Sequence, residues 1–183
     1  MTDVLLTSEA FVKQVTSISD NIAGKYIQPA IREAQEFGLR YILGSALTER
    51  LKEMVASGTT GDADNVAYLD LLQRCQYYLA YAAVVEVAQK TSFKVANFGI
   101  VKTTDENAQT ATQDEVAKVR YYYQAKADGH ALDIQRWLLE NRAAFPELDA
   151  CACGRIAANL KSAASSGLWL GGARGKRGGG PCR

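Results

Sequence analysis

Apolar residues recur every three or four positions through most of the chain, the spacing of one face of an α-helix. Thr7, Ser8 and Glu9 precede Ala10, Phe11, Val12 and Val15. A hydroxyl that caps and a carboxylate near the positive end of the helix dipole predict a helix start there. Ile18 prolongs the spacing and Ser19-Asp20-Asn21 interrupts it. Asp20 or Asn21 is expected to cap a second helix through Ile22, Tyr26, Ile27, Ile31, Ala34, Phe37 and Leu39 to Ile42 and Leu43. Pro29 conflicts with a continuous helix and suits the first turn of one that starts near Gln28. Gly44 is the expected stop. Ser45 is expected to cap a third, short helix over 46–55, with Leu47, Leu51 and Met54 on one face.

Residues 57–64, SGTTGDAD, have the composition of a surface loop. Asp64 or Asn65 then opens a long helix over 65–91, about 40 Å in length. Val66, Leu69, Leu72, Cys75, Gln76, Leu79, Ala83 and Val87 form its inner stripe, widened by Tyr68, Tyr77, Tyr78 and Tyr81. A helix apolar around so much of its circumference belongs at the centre of a bundle. The helical period breaks over 93–104, where Phe93, Val95, Phe98, Ile100 and Val101 favour strand and Asn97 and Gly99 favour a turn. A second long helix follows over 113–144, and Phe145-Pro146-Glu147 ends it. The segment 148–166 is ambiguous, and Leu168-Trp169-Leu170 is an apolar island before a Gly, Arg and Lys tail. The fold class expected is therefore all-α. It is a bundle of two long antiparallel helices with a small β-hairpin or extended loop near 95–104. Leu72, Leu79, Val87, Val119, Ile134 and Leu138 are expected to be buried. The expected division is a helical domain over 1–164 and a tail over 165–183.

Composition adds a charge asymmetry. Hydrophobic residues make up 48% of the 183, enough for a core. The net charge is +1, but the four basic residues after residue 164 face no acidic ones, which leaves about −3 for the rest. Residues 1–6 carry Asp3 and no basic cluster, so no secretory signal is expected and synthesis in a cytoplasm is. No apolar run approaches the roughly 20 residues that cross a bilayer, so no membrane partner is expected.

Candidate chemistry is sparse. His130 is the only histidine, so any Ser-His-Asp or Cys-His arrangement depends on it alone. It follows Gly129 and is expected to be exposed or capping. Cys151 and Cys153 form the one close cysteine pair, Cys182 lies in the tail, and Cys75 sits in a helical pattern as a small hydrophobe. This is short of the pairs a zinc site requires. No phosphate-binding loop or dinucleotide fingerprint occurs. The expectation is of no catalytic residues, no metal and no cofactor.

Two features point to partners. Tyr121, Tyr122 and Tyr123 are consecutive, and three successive helical positions span about 200°, so they cannot all face one core. Either the helix is buried on two sides or one side meets another subunit, where tyrosine is enriched. The tail, with Arg174, Lys176 and Arg177, is a solvated terminus, an arm that orders on a partner through Leu168, Trp169 and Leu170, or a phosphate-binding segment.

The order of elements carries a resemblance. The stretches YIQPAIREAQEFGLRYILGSALTERL, NVAYLDLLQRCQYYLAYAAVVEVAQ and SFKVANFGIVKTTDENAQTAT, followed by another long helix, resemble head–tail connector (adaptor) proteins of tailed bacteriophages. The likeness is to the type found in phages and prophages of Bacteroidetes, including ring proteins of crAss-like phages. It rests on Ile27, Ala30, Ile31, Glu33, Ala34, Gln35, Leu39, Leu43, Gly44 and Leu47, and on Asn97, Phe98, Gly99, Ile100 and Val101, within residues 5–145. The resemblance implies a structural virion protein at the head–tail junction. It would form a ring of identical subunits, commonly twelve, beneath the portal protein and around the DNA channel. The implied partners are its own copies, the portal, neighbouring tail or ring proteins and, non-specifically, channel DNA. Interface residues are then expected at Phe98, Ile100, Val101, Tyr121, Leu168, Trp169, Leu170, Arg174, Lys176 and Arg177. The alternative is a small non-enzymatic adaptor for nucleic acid or assembly that uses the basic tail.

Overall fold

A computed structural model describes residues 4–96, 99–102 and 112–150. The described residues are predominantly helical, and the fold class is all-α. Helix α1 spans Glu9–Val15, and the Ser8 hydroxyl caps it by accepting the Phe11 N–H at 3.1 Å. Helix α2, Gly24–Glu33, begins after Ala23 with no side-chain cap, so neither Asp20 nor Asn21 acts as its N-cap. Pro29 lies inside α2 rather than in its first turn, where it removes one intrahelical hydrogen bond. The chain stays helical to Leu43, but the turn widens to a π-helix over Ala34–Leu39 before α3, Arg40–Leu43. Gly44 ends this run at φ +83° and precedes α4, Ser45–Ser57. Ser45 is thus the first helical residue and not a cap. Gly58, left-handed at φ +72°, ends α4.

Two short 3₁₀ turns, Thr59–Gly61 and Ala63–Asn65, lead into α5, Val66–Ser92. Strands β1, Phe93–Ala96, and β2, Gly99–Lys102, pair antiparallel with Phe93 opposite Lys102 and Ala96 opposite Gly99. Helix α6, Gln113–Glu140, starts on a capping box: Thr112 Oγ1 accepts the Glu115 N–H at 3.3 Å, and the Glu115 carboxylate accepts the Thr112 N–H at 2.7 Å. The turn Arg142–Ala144 and the short α7, Glu147–Ala150, follow.

The most extensive helix contact is between α5 and α6. Arg74 meets Asp133, Tyr77 meets His130 and Tyr81 meets Tyr123, so position rises along one helix as it falls along the other. One apolar cluster joins Leu6, Leu39, Leu43, Leu47 and Leu51 to Leu71, Cys75 and Leu79 of α5, Ile134 and Leu138 of α6, and Phe145. The other joins Val12 of α1 and Ile27, Ala30 and Ile31 of α2 to Ala80, Ala83, Val84 and Val87 of α5. Burial of the Cys75 thiol pushes its pKa up and keeps it protonated.

Three apolar positions depart from the expected pattern. Val119 is exposed, because the inward stripe of α6 runs through Val116, Arg120, Tyr123, Ala127, Ala131 and Ile134. Val66 is exposed because α5 turns Ala67, Tyr68, Leu71 and Leu72 to the core instead. Phe37 is 81% exposed. The π-helix closes each hydrogen bond over one more residue than an α-helix and so turns less per residue, which keeps Gln35 and Leu39 inside while Phe37 and Tyr41 turn outward.

That wide turn serves two contacts. Gln35 is fully buried: its Oε1 accepts the Leu6 N–H at 2.9 Å and its Nε2 donates to the Val4 carbonyl at 3.0 Å. Gln76 of α5 donates to the Leu6 carbonyl at 3.1 Å. Two glutamines thereby hold the N-terminal segment as a paired strand would. Gly38 lies against the Tyr78 hydroxyl, where a β-carbon would overlap it.

Candidate functional site

The long helices carry a continuous series of rings on one side of the bundle. Phe11 of α1 packs edge-on against Tyr77, with centroids 5.4 Å apart. The His130 imidazole lies nearly parallel to both Tyr77 and Tyr81, at 5.8 Å and 5.3 Å with interplanar angles of 18° and 15°. Tyr81 continues to Tyr123 at 6.3 Å, and Tyr123 meets Tyr122 edge-on at 5.3 Å. The Lys126 ammonium stands 5.7 Å from the Tyr122 ring centre. Helical spacing makes this series possible: Tyr77 and Tyr81 are one turn apart, as are Tyr123 and Lys126 and Lys126 and His130.

His130 is therefore part-buried between tyrosines, and neither exposed nor a cap. Burial holds its pKa below the ordinary 6.5. Asp133 pulls the other way and Lys126 adds to the lowering.

The tyrosine run divides three ways. Tyr123 faces α5, Tyr122 is half exposed, and Tyr121 is 78% exposed. In α6 the first buried residue is Ala127, so residues 113–126 bury no side chain fully and present Val119, Tyr121 and Tyr122 outward. Phe37 and Tyr41, one turn apart on the π-helix and α3, form a second outward aromatic pair. Tyr78, in contrast, is buried, and loss of water raises its phenol pKa to about 12.

The other end of α6 is held by a different set. Arg74 of α5 pairs with Asp133, and its guanidinium lies 5.2 Å from the Trp137 ring centre. Trp137 packs on Phe145, which meets Tyr68 edge-on. Tyr68 donates its hydroxyl to the Glu147 carboxylate at 3.0 Å, and burial followed by that carboxylate raises the phenol pKa.

Of the expected interface residues, Tyr121 lies on the exposed face of α6. Ile100 and Val101 lie in β2, opposite Val95 and Lys94. Phe98, Leu168, Trp169, Leu170, Arg174, Lys176 and Arg177 lie outside the described residues, as do Cys151, Cys153 and Cys182. Among the described residues no three His, Cys, Asp or Glu side chains are grouped to hold a metal ion, and no helix is long and apolar enough to cross a membrane. Sequence pattern alone missed Gln35, Phe37 and the stacked His130. The available signal for His130 was its spacing of four from Lys126 and seven from Tyr123 on one helix.

Known proteins place the chain in one family. Residues 39–158 match the model described as "Family of unknown function (DUF6712)", and the chain belongs to that family. No curated protein and no solved structure matches it.

Proposed function

We propose that this member of the DUF6712 family is a structural virion protein, a head–tail connector whose copies form a ring beneath the portal around the DNA channel. The observation that carries the reading is the bare first half of α6. Fourteen residues bury no side chain fully, yet the segment turns Val119, Tyr121 and Tyr122 to solvent. Large aromatic side chains left exposed on a helix are the residue type enriched in interface cores. The resemblance of residues 5–145 to phage connectors points the same way. In this reading the two long antiparallel helices form the protomer's rigid centre, and the hairpin carrying Ile100 and Val101 reaches a neighbour. A two-stranded hairpin is marginal alone and gains from cover on its edges. A ring supplies a neighbour on each side through one repeated heterologous contact. The tail after residue 164 is assigned to portal or neighbour contact on its sequence.

The test is assembly. Wild-type protein at micromolar concentration, alone and with purified portal, is expected to form rings by mass photometry and negative-stain microscopy. Tyr121→Asp and Ile100→Asp are expected to keep the wild-type circular dichroism spectrum and to weaken assembly about 30-fold, the effect of losing roughly 2 kcal/mol of buried aromatic or aliphatic contact. Truncation after Gly167 is expected to weaken portal docking. A wild-type protein that stays monomeric at every concentration and with portal would refute the reading. Strong salt-sensitive DNA binding lost on deleting residues 174–183 would support the nucleic-acid adaptor instead.

A further inference from the structure

We propose that His130 is a proton-operated latch: protonation of its imidazole, stacked on Tyr77 and Tyr81, releases α6 from α5 over residues 113–130, His130 included. The inference is independent of the connector reading, because it concerns how the helix pair is held and not what the exposed face meets.

The geometry sets where the helix opens. On the C-terminal side of His130, α6 is anchored by buried Ile134 and Leu138, by the Arg74–Asp133 ion pair and by Arg74 over Trp137. On the N-terminal side, Ala127 is the last buried residue, and the ring contacts that bind the segment to α5 are Tyr123 on Tyr81 and His130 on both tyrosines. Such a segment, with few buried contacts, occupies the low-stability end of a fold and opens locally before the whole molecule does.

The surroundings favour the neutral ring. Two groups on α6 face His130: Lys126, one turn before it, repels a second positive charge, and Asp133, three residues after it, attracts one. Asp133 also pairs with Arg74 of α5, yet its attraction still exceeds the Lys126 repulsion, so it is burial that favours the neutral ring. From α5 the ring meets Tyr77 and Tyr81, both neutral. From α1 the column is closed by Phe11 on Tyr77, and the charges of that helix, Glu9 and Lys13, pair with each other at 2.7 Å. The tyrosine faces offer an imidazolium some cation–π attraction. Lost hydration and Lys126 oppose it, and burial holds the imidazole below its ordinary 6.5. A histidine lowered in this way binds its proton more weakly folded than released. The docked state is therefore favoured above pH 6.5 and loses ground as pH falls from there through the lower folded value.

His130 is the only histidine in the chain, so no second imidazole contributes in this window. The experiment is an NMR titration of the His130 Cε1–H in the full chain, with hydrogen exchange at pH 7.5 and 5.5 corrected for intrinsic rates. The expected midpoint is below 6.5. Protection of amides 113–130 is expected to fall in acid, approaching tenfold for each pH unit by which the folded midpoint lies below 6.5, while 131–140 holds. His130→Phe keeps a ring in the stack but takes no proton, and its protection over 113–130 is expected to be equal at both pH values. A midpoint at or above 6.5, or the same acid loss in His130→Phe, would overturn the proposal. If that variant does not fold, the wild-type titration still decides.

Discussion

Gln35→Ala tests the claim that a buried amide ties the N-terminal segment to the bundle. Gln35 is fully buried and 29 residues from Leu6, whose N–H it accepts, while its own N–H reaches the Val4 carbonyl. Removing the amide leaves the buried Leu6 N–H without its partner, which costs about 1–3 kcal/mol, and removes the bond to Val4, worth about 1 kcal/mol. With a further contribution from the emptied volume, the expected loss is roughly 3 kcal/mol. For a chain of this size that lowers Tm by about 6–12 °C. Urea unfolding is expected to shift in midpoint with an unchanged slope. Gln35→Met separates the terms, since it fills the volume and makes neither hydrogen bond, and about 2 kcal/mol of the loss should persist. Gln35→Glu keeps an acceptor for Leu6 but sets a carboxylate oxygen against the Val4 carbonyl. Burial and that carbonyl raise its pKa, so its destabilisation at pH 7 should diminish as acid returns it to a neutral donor. A Gln35→Ala protein within about 0.5 kcal/mol of wild type would refute the clamp.

Two further substitutions probe local geometry. Gly38→Ala places a methyl on the Tyr78 hydroxyl and should destabilise by about 1–3 kcal/mol in urea titration, with most of the loss recovered in the Gly38→Ala/Tyr78→Phe double variant. Thr112→Ala removes the capping oxygen of α6 and should cost about 1 kcal/mol, with faster hydrogen exchange confined to the first turns; unchanged exchange there would argue that tertiary contact, not the cap, starts the helix.

Periodicity and capping chemistry by themselves determined the helical class and most helix positions. Ser8 caps α1, Gly44 closes the run from Gly24, and the stripe through Leu72, Cys75, Leu79, Ala83 and Val87 marks the inner face of α5. These are local decisions, because a cap or a stop is made by residues within one turn of the site it controls. Tertiary structure decided the rest. The π-turn at Ala34–Leu39 accompanies Gln35 reaching Leu6 and Gly38 meeting Tyr78, contacts separated by 29 and 40 residues. That turn sends Phe37 outward against its helical period. A run such as Tyr121-Tyr122-Tyr123 says that more than one helix face is aromatic but not which face a neighbour covers. Packing of α6 on α5 selects Tyr123 for the interior and leaves Tyr121 outside. The same packing draws the lone histidine between two tyrosines of another helix, about fifty residues away in sequence, where its charge becomes costly.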